Sequence, residues 1–152
     1  RFAAWWTDRG NPDWHTHREK LLSLLEQQAD LERMARIVGK DALPPAQQLT
    51  LLCAELINEA FLRQSAFSEV DRYCSPQRQM AMLNLILHFV KLAETALDNG
   101  VAPQKIAELP VLRRLQRMGE EIGEDALDKF SELRATLDAA IGDLEKAGSH
   151  AA

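Results

Sequence analysis

The most apolar stretch of this sequence reads Met82-Leu83-Asn84-Leu85-Ile86-Leu87-His88-Phe89-Val90-Lys91-Leu92. Wound into a helix, it leaves one narrow polar stripe, whose members are 4, 3 and 4 positions apart: Asn84, His88, Lys91 and Thr95. A helix that is apolar nearly all round is buried on most sides. We therefore expect a central helix near residues 76–99, opened by Ser75-Pro76 and closed by Asn99-Gly100. The role of the stripe stays open, because a face for another domain and an internal hydrogen-bond network fit it equally well.

The rest of the chain also reads as helix, because period-2 alternation of β-branched residues is missing and Gly and Pro fall between periodic segments. We expect an all-α bundle of about five to six helices over residues 13–38, 44–63, 76–99, 103–109, 110–122 and 124–146. The weakly apolar middle of the first helix, 27–30, is a candidate for a break. Its apolar face contains Leu21, Leu24, Leu25, Leu31, Met34 and Val38.

Composition excludes several classes of function. The chain has 152 residues, enough for one domain, and a formal net charge of -5, which disfavours nucleic-acid binding. The polar stripe interrupts the apolar stretch, so we expect no direct membrane insertion. Two cysteines, Cys53 and Cys74, form no disulfide framework and favour a reducing compartment.

The first residue, Arg1, suggests a piece of a longer protein, because the chain opens with neither Met nor a signal peptide. We divide it into an irregular lead-in at 1–12, a helical domain at 13–147 and a flexible tail at 148–152.

Motifs for a self-contained active site are missing from the sequence. A phosphate-binding loop needs a second glycine upstream of Gly39, and Asp41 stands where its Ser or Thr would be. A metal site built from Asp13, His15 and His17 is disfavoured, because residues two apart on a helix point apart. We expect no catalytic and no metal-binding residue in this chain.

Two further residues have ordinary structural explanations. His88 lies in the polar stripe and fits a hydrogen-bonded, partly buried histidine better than a catalytic base. Cys74 has no neighbouring base in the sequence and fits a small buried side chain.

Two connecting segments carry more information. Phe67 lies in the loop after the second helix, where it either anchors the loop or offers a flat surface for stacking a heteroaromatic ligand, and chemistry alone favours the anchor. The second segment is the turn at residues 39–47, in which Pro44-Pro45 and short polar side chains predict a stiff, projecting connection. Attached to a larger assembly, this turn is a candidate contact point.

These segments resemble the C-terminal helical domain of the catalytic A subunit of V/A-type rotary ATPases, from Ala4 to about Pro110. The resemblance lies in three runs: Ala42-Leu43-Pro44-Pro45-Ala46-Gln47-Gln48-Leu49-Thr50-Leu51, Phe61-Leu62-Arg63-Gln64-Ser65-Ala66-Phe67-Ser68-Glu69-Val70-Asp71-Arg72-Tyr73-Cys74-Ser75, and Leu83-Asn84-Leu85-Ile86-Leu87-His88-Phe89. Trp5-Trp6 and Trp14 fit the family's entry into this domain. A more distant similarity joins the same stretch to the F-type β subunit, whose acidic turn pushes on the central rotor shaft.

The resemblance implies a nucleotide site that is shared with a nucleotide-binding domain upstream. Phe67, Ala66 and Gln64 would form the pocket for the adenine of ATP or ADP, while that domain would supply the phosphate-binding loop, the catalytic Glu and the Mg²⁺ ligand. Ser65 and Arg63 replace the Asn and Gln that are usual in the family. The parent would be an ATPase or ATP synthase that moves protons or sodium, and this chain alone would need no cofactor and would not hydrolyse ATP.

The resemblance also implies partners and a location. The parent would assemble with B subunits and central-shaft subunits as the soluble, peripheral head on the cytoplasmic side of the membrane. The shaft contact would be the turn, at Asp41, Ala42, Leu43, Pro44 and Pro45. Because Asp41 is the single carboxylate in this turn, shape and the rigid Pro44-Pro45 pair would transmit the push.

A stand-alone interaction module without nucleotide binding is the alternative. It would dock a partner helix on the apolar seam of the last helix, and the missing catalytic motifs favour it. The seam contains Leu127, Phe130, Leu133, Leu137, Ile141 and Leu144.

Overall fold

A computed structural model describes residues 14–62, 76–121 and 128–151. These residues form six α-helices: α1 (Trp14–Val38), α2 (Pro45–Ile57), α3 (Pro76–Asp98), α4 (Pro103–Ala107), α5 (Pro110–Glu121) and α6 (Asp128–Ala151). A 3₁₀ turn (Lys40–Ala42) joins α1 to α2, and a π-helical turn (Asn58–Leu62) extends α2. No strand occurs in these ranges, so the all-α prediction is confirmed.

Helix α3 is the centre of the bundle, as its composition predicts. It packs against α2, α5 and α6, and Phe89, Ala93 and Ala96 have no exposed surface. Within the described ranges, Met80–Asp98 is the one segment long and apolar enough to cross a membrane by length and composition. Burial among the other helices accounts for the same composition, because the core helix of a bundle needs apolar side chains on most of its faces.

Proline and glycine set the helix ends. Pro45, Pro76, Pro103 and Pro110 each occupy the first position of a helix, where a missing N–H costs no intrahelical hydrogen bond. Gly100 closes α3 with φ of 94°, while the Val101 N–H bonds to the Ala96 carbonyl at 3.0 Å and the Gly100 N–H to the Leu97 carbonyl at 3.0 Å. These are the two hydrogen bonds of a Schellman motif, so the predicted stop signal is confirmed.

One residue of the polar stripe of α3 and the residue after the helix are joined to α6 by hydrogen bonds. His88 Nε2 donates to Asp138 Oδ1 of α6 at 2.5 Å, because a carboxylate can only accept. Asn99, just after α3, donates to Glu145 Oε2 of α6 at 3.0 Å. The prediction of a hydrogen-bonded, partly buried His88 is therefore confirmed. Asn84, Lys91 and Thr95 are exposed.

Three features depart from the sequence-based expectations. Helix α1 is continuous through residues 27–30, since no Gly or Pro interrupts it. Helix α6 continues to Ala151, beyond the expected helix end near residue 146, and no proline follows Lys146 to stop it. On α1, Leu24 and Leu31 are buried, but Met34 and Val38 are exposed rather than part of the core.

Candidate functional site

The candidate site is the turn at residues 39–47 between α1 and α2. Gly39 ends α1 with φ of 94° and ψ of 145°, a conformation open almost only to glycine. After the 3₁₀ turn, Leu43 and Pro44 are extended, with ψ of 147° and 148°, and Pro45 begins α2. Because proline fixes φ, two consecutive prolines restrict this corner more than most sequences would.

Leu43 anchors the turn from beneath. It is only 5% exposed and packs with Leu31 of α1 and Leu51 of α2 in a small cluster, separate from the main core. Of the five residues expected to face a shaft, Asp41, Ala42, Pro44 and Pro45 are exposed and Leu43 is not. Burial gives Leu43 an anchoring position inside the domain.

Three large apolar side chains are exposed at the C-terminal end of α1, next to the turn at residues 39–47. Met34 is 39% exposed, Ile37 77% and Val38 58%. Their spacing places them on one face of the helix. They extend the face that buries Leu31, beyond the point at which described residues cover it. Such a patch is typical of a binding surface, and the sequence pattern predicted that two of its members would lie in the core.

The charges around the turn are nearly balanced. Lys40 Nζ lies 3.2 Å from Glu55 Oε1 of α2, which joins the 3₁₀ turn to the helix that follows. On α1, Arg33 pairs with Asp30 at 2.5 Å. Asp41 supplies an exposed carboxylate. Contact at this turn would therefore depend on apolar surface and shape more than on charge.

One side-chain amide joins the turn to two helices. Gln48 of α2 donates through Nε2 to the carbonyls of Leu43, at 2.7 Å, and Asp41, at 3.3 Å. Its Oε1 accepts from Gln104 Nε2 of α4 at 2.9 Å. The sequence analysis did not identify Gln48. The one available signal was its position after two prolines, which have no N–H groups to donate to nearby carbonyls, so that a side-chain donor is needed.

A second concave region lies between α1, α2 and α3. This cleft of about 180 Å³ is lined by residues that include Lys20, Cys53 and Glu94, and Lys20 Nζ is 3.2 Å from Glu94 Oε1. Burial raises the pKa of the Cys53 thiol from 9.0 to about 12, with a further increase from the Glu94 carboxylate. A thiol held protonated is a poor nucleophile and a poor metal ligand, so Cys53 is unsuited to either role.

The remaining predicted site residues lie mostly outside the described ranges. This holds for the expected adenine-pocket residues Phe67, Ala66 and Gln64, for Cys74, and for Asp13 of the disfavoured metal site. Among the described residues, no group of three or more His, Cys, Asp or Glu side chains could hold a metal ion.

The fold defines an all-α domain with an anchored, exposed turn between its first two helices. Residues 3–107 match the family model described as the C-terminal domain of V and A type ATP synthase, and the chain belongs to this family. It is 40% identical over 134 residues to the A subunit of the A-type ATP synthase of Methanopyrus kandleri, covering 88% of this chain and 23% of that protein. It is 39% identical over 137 residues to the same subunit of Thermococcus sibiricus, covering 85% of this chain and 23% of that protein. The chain thus spans less than a quarter of the length of these relatives.

Proposed function

We propose that this chain is the C-terminal domain of the A subunit of a rotary ATP synthase or ATPase. The family match carries this proposal, and the small share of each relative that the chain covers leaves ample length for a nucleotide-binding domain. The parent would couple ATP hydrolysis or synthesis to proton or sodium transport, in a soluble head peripheral to the cytoplasmic side of the membrane. B subunits and central-shaft subunits would be its partners. The missing phosphate-binding loop leads us to expect no ATP hydrolysis from the chain alone.

Within that parent, the domain would act as a lever. Closure around a ligand needs a site shared between two rigid parts. Nucleotide with Mg²⁺, bound mainly by the other domain, would draw this domain toward the shaft, and the turn at residues 39–47 would touch the shaft. The exposed patch of Met34, Ile37 and Val38 supports this proposal.

Site-directed photo-cross-linking in the assembled complex tests the shaft contact. Ala42→Cys, labelled with a benzophenone maleimide, should give an adduct with a central-shaft protein. The Cys74→Ser background removes a competing thiol, and buried Cys53 should not react at neutral pH. Ala29→Cys is the matched control, because Ala29 is also exposed and lies about 12 Å along α1 from Ile37. Equal adduct yields from both positions, or none from Ala42→Cys, would refute the contact.

The adenine pocket is the second part of the proposal. Phe67 would stack on the base, with Ala66 and Gln64 beside it. In the full-length parent, Phe67→Ala should weaken nucleotide binding by about 1–3 kcal/mol, the range for stacking of an aromatic side chain on a base. Phe67→Tyr, which keeps the ring, should retain most of the affinity. An unchanged affinity in Phe67→Ala would return Phe67 to the role of a loop anchor.

The alternative, a stand-alone docking module, would need the apolar seam of α6 to be exposed. Phe130, Leu133, Leu137 and Ile141 of the α6 seam are buried in the main core. A partner helix could reach them only if α6 left the bundle, which would expose much of that core.

A further inference from the structure

Between Gly39 and Pro45, the turn has few hydrogen bonds of its own. The Ala42 N–H reaches the Gly39 carbonyl at 3.2 Å and the Leu43 N–H reaches the Lys40 carbonyl at 3.3 Å, both at the long end of the usual range. Pro44 and Pro45 have no N–H to donate. Apart from Leu43, whose side chain is buried, the turn is exposed from Gly39 to Pro45. The two prolines restrict the backbone at the corner, but contacts from outside the turn have to hold the segment from Gly39 to Leu43.

Gln48 supplies hydrogen bonds that the turn lacks. Its Nε2 faces two backbone carbonyls, those of Asp41 and Leu43, which fixes the orientation of the carboxamide because carbonyls only accept. That orientation places Oε1 toward Gln104, whose Nε2 donates to it at 2.9 Å. The two glutamines line a groove of about 220 Å³ beside the turn.

Gln104 in turn belongs to a well-anchored element. In α4, Pro103 and Ile106 are buried, and Ile106 has no exposed surface. Helix α4 packs against α2 and α6. A displacement of the turn therefore reaches α2 through Gln48 and α4 through Gln104, in addition to the small leucine cluster beneath Leu43.

We propose that Gln48 is a positioning residue, whose carboxamide holds the turn rigid against α2 and α4 so that movement of the domain is passed to the turn without loss. This inference rests on the proposed function, in which the turn contacts the shaft. The Lys40–Glu55 ion pair also joins the turn to α2, but exposed ion pairs contribute little, and the bond from Gln48 to the Leu43 carbonyl is partly buried.

Two substitutions in the assembled complex test separately the bonds of Gln48 to the turn carbonyls and its bond to Gln104. Gln48→Glu keeps the length of the side chain and the acceptor for Gln104, but it cannot donate to the two carbonyls and places a negative charge beside them. Gln104→Ala removes only the connection to α4. Gln47→Ala is the matched control, because Gln47 is the neighbouring residue, is equally half-buried and makes none of these bonds.

Hydrogen exchange of the turn amides is the first measurement. Gln48→Glu should accelerate exchange at Ala42 and Leu43 about 2- to 10-fold, the equilibrium equivalent of one net hydrogen bond. Gln104→Ala should give a smaller acceleration, and Gln47→Ala none. Unchanged exchange in Gln48→Glu, or equal acceleration in Gln47→Ala, would overturn the proposal.

The number of ions transported per ATP hydrolysed is the second measurement. Gln48→Glu should retain hydrolysis and lower this ratio, whereas a merely structural role would lower assembly or both rates together. An unchanged ratio despite faster exchange would overturn the positioning role. The cross-link from Ala42→Cys tests the shaft contact independently of the role of Gln48. If no adduct forms, the shaft contact is refuted, but the hydrogen-exchange data still decide whether Gln48 holds the turn.

Discussion

Replacing Leu43 by alanine removes the one buried side chain of the turn. Leu43 is 5% exposed and contacts Leu31 and Leu51, with Ala35 at the edge of the cluster. The substitution leaves a space between α1, α2 and the turn, and it leaves the hydrogen bonds of Gln48 to the turn carbonyls chemically possible. It therefore tests the hydrophobic anchor by itself.

The expected loss follows from the size of this cluster. A buried Leu→Ala change costs about 2–5 kcal/mol, depending on how far the surroundings collapse into the space. Because only three buried leucines form the cluster and the turn above it is exposed, partial collapse is easy, and we expect about 2–3 kcal/mol. For a chain of this length that corresponds to a fall in Tm of about 5–10 °C. Combined with Leu31→Ala, the loss should be smaller than the sum, because both residues share one cluster.

Urea unfolding followed by circular dichroism measures this loss, and Ile37→Ala is the matched control. Ile37 is 77% exposed, so its truncation removes a similar number of carbon atoms without opening a cavity. We expect the control to change the free energy of unfolding by no more than about 0.5 kcal/mol. Equal losses from the two variants would contradict the anchoring role of Leu43. An unchanged urea midpoint in Leu43→Ala would contradict the burial on which the argument depends.

Three further predictions concern backbone strain and thiol chemistry. Gly39→Ala should lower the free energy of unfolding by about 1–3 kcal/mol, because φ of 94° with ψ of 145° strains any residue with a Cβ. The cost is backbone strain and not a clash, since no atom lies within 4 Å of the added carbon. An unchanged free energy in urea unfolding would show that the turn can relax. In a Cys74→Ser background, Cys53 should resist iodoacetamide at pH 8 until urea unfolds the chain, and fast alkylation of the folded chain would contradict its burial. Because the folded pKa of about 12 exceeds the unfolded value near 9.0, the thiol should also make stability fall as pH rises from about 9 toward 12, and Cys53→Ala should remove that part of the decline.

The starts of four helices and the end of α3 could be predicted from the sequence because their causes are local. Pro45, Pro76, Pro103 and Pro110 each begin a helix by the same steric rule, and Gly100 ends one through its positive φ. The central position of α3 could be predicted equally well, since a helix that is apolar on nearly every face has to be enclosed by other helices.

The candidate site could not be predicted in the same way, because burial at its residues depends on distant partners. Met34 and Val38 continue the apolar period of Leu31, and nothing local indicates that the covering elements stop short of them. Leu43 stood among the residues expected to face a partner. A lone leucine between polar and proline neighbours was the signal for an anchor, but its contacts with Leu31 and Leu51 arise only after α1 and α2 pair.

The hydrogen bonds of Gln48 show a further limit of prediction from the sequence, because they depend on the N–H groups that the two prolines lack. A glutamine near the start of a helix usually suggests an acceptor for free N–H groups. Pro44 and Pro45 offer none there, and the carbonyls of Asp41 and Leu43 accept from Gln48 instead. The same corner thus places its fixing groups, Leu43 and Gln48, on the inner side and leaves Ile37 and Val38 exposed. Because exposed apolar side chains contribute little to folding, substitutions at Ile37 and Val38 can weaken a partner contact while stability is retained, whereas substitutions at Leu43 change both. The proposed lever needs that division of roles where it would touch the shaft.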